Sequence, residues 1–196
     1  MLDGLSAGVP PRIHEALVHE CASQHLLVMD VVVGERSVVV THDVQAARQV
    51  RELLTMLGER ITPNATSTPR STMEIPVRYD GADLHHVAQQ CGLSTREVIA
   101  LHSGAQYFVE FCGFTPGFAY LAGLPAALLM PRRLTPRPRV PAGAVAIAAT
   151  YSAIYPRESP GGWHLIGTTD VELWNILRDV PATLTPGMSV RFVETL

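Results

Sequence analysis

This sequence contains no lysine: all 15 of its basic residues are arginine. That absence excludes several chemistries at once. There is no lysine for a phosphate-binding loop, a Schiff base, a Ser–Lys catalytic pair or biotin attachment. Cysteine is scarce too. Cys21, Cys91 and Cys112 are far apart and odd in number, which predicts free thiols in a reduced cytoplasmic setting rather than a disulfide framework. No apolar run approaches the roughly 18–20 residues of a membrane span. The opening "MLDGLSAGVPPR" lacks the basic-then-apolar order of a signal peptide, so no membrane partner is expected. A net charge of −3 gives no reason to expect nucleic acid. No GxSxG, no HExxH and no zinc-like Cys/His spacing occur, and no metal site is expected.

What is present is a core. Hydrophobic residues at 47% against 17% charged predict a packed globular chain. The run "ITPNATSTPRSTM" (61–73) is rich in Pro, Ser, Thr and Asn and reads as a linker over 63–73, between a first domain at 1–62 and a second at 74–196. In the first domain, apolar spacing predicts a helix over 11–23. "LLVMDVVV" (26–33) and "RSVVVTH" (36–42) predict a hairpin. Asp43 is placed to cap a helix over 44–58 that Gly58 would end. In the second, strands are expected at 73–79, 106–112, 144–149, 163–167 and 189–194. Asp83 opens a helix ending at Gly92, and Ser94 with Glu97 forms a capping box for the next one, which stops at Gly104. Ten of the fifteen prolines lie beyond residue 115, so turns are frequent there and a β-barrel is expected.

Four stretches carry candidate chemistry. "FTPGFAYLAGLP" (114–125) sets Phe114, Phe118 and Tyr120 on a backbone constrained by Pro116 and freed at Gly117; it is too broken for a regular element and reads as a core plug or a binding wall. "PRRLTPRPR" (131–139) holds Arg132, Arg133, Arg137 and Arg139 on a proline-stiffened segment, suited to a carboxylate or phosphate, or to a solvated loop or subunit contact. "SPGGW" (159–163) offers the Gly161 and Gly162 N–H groups to an oxyanion, or is a plain turn. His102 ends a helix, as a dipole-stabilised cation or as a proton carrier. The neighbours His85 and His86 point to different sides of their helix. Cys112, on a predicted strand, reads as core.

Three blocks are familiar together. "GFTPGFAYLAGLP", "PRRLTPRPRVPAGAVAIA" and "IYPRESPGGWHLIGTT", in this order across residues 113–169, resemble the PxpB/KipI family, whose members are named as the B-type subunit of 5-oxoprolinase or as allophanate hydrolase subunit 1. The resemblance implies an α+β protein: a small N-terminal α/β sandwich followed by a cyclophilin-like β-barrel. It implies a PxpC/KipA-type partner subunit (allophanate hydrolase subunit 2) in a heterodimer or heterotetramer, and a 5-oxoprolinase A-type third component. The paired subunits are similar to the carboxyltransferase domain of urea carboxylase. ATP with Mg would act at the level of the complex, with no biotin on this chain.

Two departures stand out. Where the family carries Gly–x–Gln–Thr–Gly, this chain has Ala149, Thr150, Tyr151, Ser152 and Ala153. The strand that the family places before the first helix has no counterpart in the pattern.

The expected function is that of a subunit of an ATP-dependent amide or lactam hydrolase, cleaving a cyclic or linear amide C–N bond. In that reading His102 carries the proton and Arg137 is catalytic. Arg132 and Arg133 hold anionic groups, and Tyr120 and Tyr155 orient substrate. Phe114, Pro116, Gly117 and Ser159 shape the rim, and Gly161 and Gly162 supply N–H groups. The alternative is a KipI-like regulator that binds and inhibits a sensor histidine kinase, using the same barrel without turnover. A third possibility is a structural subunit whose partner holds the whole site.

Overall fold

A computed structural model describes residues 1–6, 9–61 and 72–195. Contacts divide the chain into two compact units, Met1–Thr68 and Pro69–Leu196. Most of the expected linker, residues 63–71, lies outside the described residues; residues 72 and 73 already belong to a strand.

In the first unit, α1 (Val9–Ser23) begins two residues earlier than its apolar spacing predicts. Pro10 and Pro11 fall in its first turn, where a missing N–H costs nothing. The hairpin β1 (Val28–Val33) and β2 (Val38–His42) is antiparallel. Asp43 Oδ1 accepts from the Gln45 N–H at 2.8 Å. It thereby caps a 3-10 turn, Val44–Ala46, and the α-helix proper, α2 (Ala47–Arg60), follows. Gly58 does not end α2. A glycine stops a helix by turning left-handed, and Gly58 is not among the positive-φ residues; the helix closes instead at Ile61, whose N–H reaches Leu57 O at 3.0 Å. Ile13, Leu17, Val38, Val50, Leu53 and Leu57 form the core of this unit. Leu2 pairs with Val38 in a single antiparallel bridge, so residues ahead of α1 supply a fragment of strand that the sequence pattern does not announce.

The second unit is a nearly closed barrel. β3 (Thr72–Val77) is followed by α3 (Leu84–Cys91) and α4 (Thr95–Gly104), then β4 (Tyr107–Cys112), β5 (Ala119–Ala122) and β6 (Arg137–Val140). Next come β7 (Ala144–Ala148), β8 (Tyr151–Ile154), β9 (Ser159–Gly161), β10 (His164–Thr168) and β11 (Ser189–Glu194). Seven strands form one sheet in the order β10-β7-β8-β5-β4-β11-β3. Its two edges meet where Arg78, just past β3, bridges Thr168 at the end of β10, with N–H···O distances of 2.9 and 2.7 Å. β11 runs parallel to β3, and the other pairs are antiparallel. Among the described residues, β6 and β9 pair only with each other.

The sheet has two buried faces. Val109, Leu121, Val145, Ile147, Ile154 and Ile166 pack with Leu84 and Val87 of α3 and Val98 of α4 into the main core. Alternate residues of the same strands, including Ala144, Ala146, Ala148 and Tyr151, turn to a second, aromatic cluster. The expected capping box is present: Ser94 Oγ accepts from the Glu97 N–H while the Glu97 carboxylate accepts from the Ser94 N–H. Gly92, at φ 68°, ends α3.

Candidate functional site

The aromatic cluster is assembled from four separate stretches of chain. Tyr120 on β5 stacks on Phe111 of β4, with ring centroids 4.1 Å apart. It meets the rings of Phe118, Tyr151 and Trp163 edge-on at 5.1, 5.7 and 5.7 Å. Phe118 contacts Tyr155 and Trp163 in turn. "FTPGFAYLAGLP" is therefore not irregular throughout. Its second half is β5, and its first half is a tight turn in which Phe118 N–H bonds Thr115 O at 3.0 Å. Gly117, at φ 81°, is buried against the next loop: a Cβ there would lie 2.8 Å from Trp174 Cβ. Phe114 is different. It holds φ 67° and leaves 60% of its surface exposed, the combination of strain and exposure that clusters at binding sites. Pro116 beside it is exposed.

A β-bulge adds a residue that the sequence pattern does not reveal. The β4–β5 register slips between Val109 and Phe111, which brings Glu110 onto the face of Phe111 and Tyr120. There the buried Glu110 accepts the Tyr151 hydroxyl at 2.7 Å. The one available signal was a charged residue inside the otherwise apolar "YFVEFC". Tyr151 stands where the family pattern has Gln, so the altered 149–153 stretch places a phenol in this cluster.

The arginines separate into two roles. Asp83 takes the N-cap position of α3 but makes no side-chain cap bond. Its buried carboxylate is bound instead by Arg137 (2.7 and 2.9 Å), Arg133 (2.9 Å) and the Leu165 N–H (2.7 Å). Burial alone would raise the Asp83 pKa. The hydrogen bonds from Arg137 and Leu165 and the charges of Arg137 and Arg133 outweigh it, and the group titrates below its ordinary range. Arg133 and Arg137 thus spend their guanidinium groups on an internal carboxylate. The catalytic role expected of Arg137 and the anion-holding role expected of Arg133 do not fit that geometry. Arg132 is not among the groups bound to Asp83. It is exposed, with its guanidinium carbon 5.9 Å from the Trp163 ring centroid, a cation–π arrangement that fixes the charge while leaving its edge open.

The remaining expectations are also reassigned by burial. His102 is fully buried on the main-core side, its ring 4.5 Å from Phe192. Ser152 Oγ lies 3.3 Å from Ala146 O and 2.9 Å from His102 Nε2. Ser152 therefore donates to the carbonyl and accepts from Nε2–H, and Nδ1 accepts the Tyr79 hydroxyl at 2.8 Å. Burial pushes this imidazole down to about 3. It is a neutral core histidine, cut off from solvent, and not the proton carrier expected. Tyr155 is buried, and burial raises its phenol pKa. A Cβ on Gly161 would fall 2.1 Å from the Tyr155 hydroxyl, so Gly161 clears space for that ring. Gly161 itself pairs with Arg137 in the β6–β9 ladder, and Gly162 O accepts from the Arg133 N–H. Ser159 Oγ donates to Arg157 O at 3.1 Å. Among the described residues no group of three His, Cys, Asp or Glu side chains comes together as a metal site. No helix there is long and apolar enough to cross a membrane.

Residues 7–184 match the family described as "Carboxyltransferase domain, subdomain C and D". The chain belongs to that family. The B-type subunit of 5-oxoprolinase from Escherichia coli O157:H7 is 52% identical over 124 residues, covering 62% of this chain and 57% of that protein. The protein of the same name from Bacillus subtilis (strain 168) is 40% identical over 150 residues, 75% of this chain and 60% of that protein. The matches span less than two-thirds of these relatives. Among solved structures, TTHA0988 superposes with a TM-score of 0.81 at 40% identity, covering 100% of this chain and 39% of that one. The Kluyveromyces lactis urea carboxylase, at 19% identity and TM-score 0.71 over 96% of this chain and 20% of that one, shares the fold. The expected resemblance and the mixed α/β architecture with a barrel are thus found. These relatives are themselves named as subunits of 5-oxoprolinase.

Proposed function

We propose that this chain is the B-type subunit of a 5-oxoprolinase-like complex that opens a small carboxylated amide or lactam, working with a PxpC/KipA-type partner and an A-type component. The observation that carries this reading is Arg132. Its two neighbours of interest are locked onto Asp83, while Arg132 stands exposed over Trp163 beside Tyr120. A guanidinium held in this way binds a substrate carboxylate through two parallel hydrogen bonds, and the rings of Tyr120 and Trp163 form the wall on which the rest of a small ring lies. The names of the relatives support the substrate class. Lysine is absent from this chain, and Arg133 and Arg137 are engaged with Asp83. On this reading ATP with Mg acts at the level of the complex.

The test is co-expression with the neighbouring subunit genes, followed by assay of ADP release with 5-oxoproline, allophanate and urea. Arg132→Ala should raise KM for the accepted substrate by about 10- to 100-fold, the worth of a charge-assisted contact. Arg139→Ala, whose exposed guanidinium faces Glu158 at 3.6 Å, should leave KM unchanged. No ADP release with any of the three substrates would overturn the reading. An unchanged KM for Arg132→Ala would remove the carboxylate anchor.

One feature favours the regulatory alternative. The loop after β10 exposes Ile176, Leu177 and Val180, with Trp174 partly exposed beside Gly117, and exposed apolar groups gathered in this way mark protein contacts. Tight binding of a sensor kinase by this chain, lost on Leu177→Asp, would support that reading over catalysis.

A further inference from the structure

Arg132 and Trp163 are held together by what lies on either side of them. The Arg133 N–H donates to Gly162 O at 2.8 Å, and His164 Nε2 lies 3.0 Å from Pro131 O. These two contacts bracket the pair, since Arg132 follows Pro131 and Trp163 precedes His164. One end is secured twice more: Asp83 takes the Arg133 guanidinium at 2.9 Å and the Leu165 N–H at 2.7 Å. At the other end the tie to Pro131 is the His164 ring. Proline has no N–H, so its carbonyl is the one backbone group by which it can be tied. A carbonyl only accepts, which fixes the proton of a neutral His164 on Nε2 and leaves a lone pair on Nδ1. That Nδ1 and Arg133 Nε are both buried and make no hydrogen bond among the described residues. His164 leaves 4% of its surface exposed, and its ring stacks on His86 of α3 with centroids 5.5 Å apart.

We propose that neutral His164 is the positioning residue that keeps Arg132 over Trp163, and that protonation of its ring releases the pair. The proposal rests on the reading of Arg132 as a carboxylate anchor, and its consequence is regulation of that anchor: set at neutral pH, withdrawn in acid. A second proton on His164 must go to Nδ1. There it becomes a buried N–H with no acceptor, which is costly, and Arg133 stands close enough to repel the new charge. The groups around the ring are few. Asp83 and His86 act on it from the head of α3 and Arg133 from the segment before β6, while β7 sets Ile147 opposite it. Burial does most to lower the His164 pKa, and His86 and Arg133 lower it further, against the opposing pull of Pro131 O and Asp83. The neutral ring therefore prevails above the ordinary histidine value of about 6.5, and release follows as pH falls below it. A ring that takes the proton gains by turning out to water, and Pro131 O then loses its donor.

The test uses the intact chain without substrate, so it stands whether or not ADP release is found. The ring nitrogens of His164 and the indole N–H of Trp163, assigned through His164→Gln and Trp163→Phe, are followed by NMR between about pH 8 and pH 4. At neutral pH His164 should carry one proton, on Nε2. The Trp163 indole should then shift with the midpoint of His164, below about 6.5. Glutamine can donate from Nε2 to Pro131 O but does not titrate. His164→Gln should therefore keep the neutral indole position and lose its pH response. His164→Leu should hold the acid position throughout, and Arg132→Ala should lie near it, because the cation is gone from the ring. The proposal is overturned if the His164 proton sits on Nδ1 at neutral pH, or if the indole holds its position across the range. It is overturned equally if His164→Gln behaves as His164→Leu does, or if Arg132→Ala titrates like the wild type. A pH response that survives in His164→Gln belongs to His86 and overturns it too. If His164→Leu does not fold, the wild-type titration and the glutamine rescue still decide.

Discussion

At the scale of single residues, two positions carry testable energies. The first is His102. Burial holds its pKa at about 3, against an ordinary value near 6.5. Between these values the unfolded chain binds a proton that the folded chain refuses. The associated stability is fully present above about pH 6.5 and is lost as pH falls toward 3, by up to about 1.4 kcal/mol per pH unit. His102→Gln removes that titration. It should cost about 1–3 kcal/mol at pH 7 through its broken contacts to Tyr79 and Ser152, and less at pH 5, where the wild type has already lost ground. Urea unfolding of both proteins at pH 7, 6 and 5 decides it; a gap that widens on acidification would refute the neutral-core assignment. The second is Ala149, which holds φ 51° where the family pattern has glycine. A left-handed conformation costs a non-glycine residue about 1–2 kcal/mol, while glycine loses about 0.5–1 kcal/mol in chain entropy. Ala149→Gly should therefore stabilise the protein by about 0.5–1 kcal/mol, read as a higher urea midpoint at constant slope. Residue identities alone could not assign these roles. His102 was legible as a histidine near a helix end, but its partners Ser152 and Phe192 are remote in sequence, which no local pattern reveals.

At the scale of elements, local signals were legible and long-range ones were not. Helix starts and stops at Ser94 and Gly92 came through because capping chemistry is decided within a few residues. Strands β3, β4, β7, β10 and β11 were legible from their apolar content. β5, β6, β8 and β9 were not, since each has three or four residues and β6 and β9 contain proline. Asp83 shows the limit best. Its place at the head of α3 was readable, but its work was not: it ties α3 to β6 and to Leu165 of β10. Arg133 and Arg137 looked like ligand-binding residues only because their carboxylate is remote in sequence. The element-scale prediction follows from that knot. Asp83→Ala strands two arginines, one of them mostly buried, and should cost about 3–5 kcal/mol, the usual penalty for breaking a buried pair from one side. Arg139→Ala, in an exposed pair, should cost less than about 0.5 kcal/mol. Equal costs in denaturant unfolding would show that the Asp83 cluster contributes nothing special to the barrel.

At the scale of the whole molecule, the chain contains two units with separate cores, one around Ile13, Leu17 and Leu53 and the other inside the barrel. The sizes are unequal. The first unit, Met1–Thr68, is near the lower limit at which a single core sustains a fold, because a short chain buries a smaller fraction of its surface. The barrel buries both faces of its sheet and should stand alone. Both tryptophans, Trp163 and Trp174, lie in the barrel, so tryptophan fluorescence reports that unit by itself, while far-UV circular dichroism reports both. Urea unfolding should therefore give two non-coincident curves, with the dichroism change beginning at lower urea as the small unit melts first. A chain shortened to Pro69–Leu196 should keep the fluorescence midpoint of the full protein. Coincident curves in the full protein, together with a fluorescence midpoint that falls in the shortened one, would mean that the two cores are thermodynamically one.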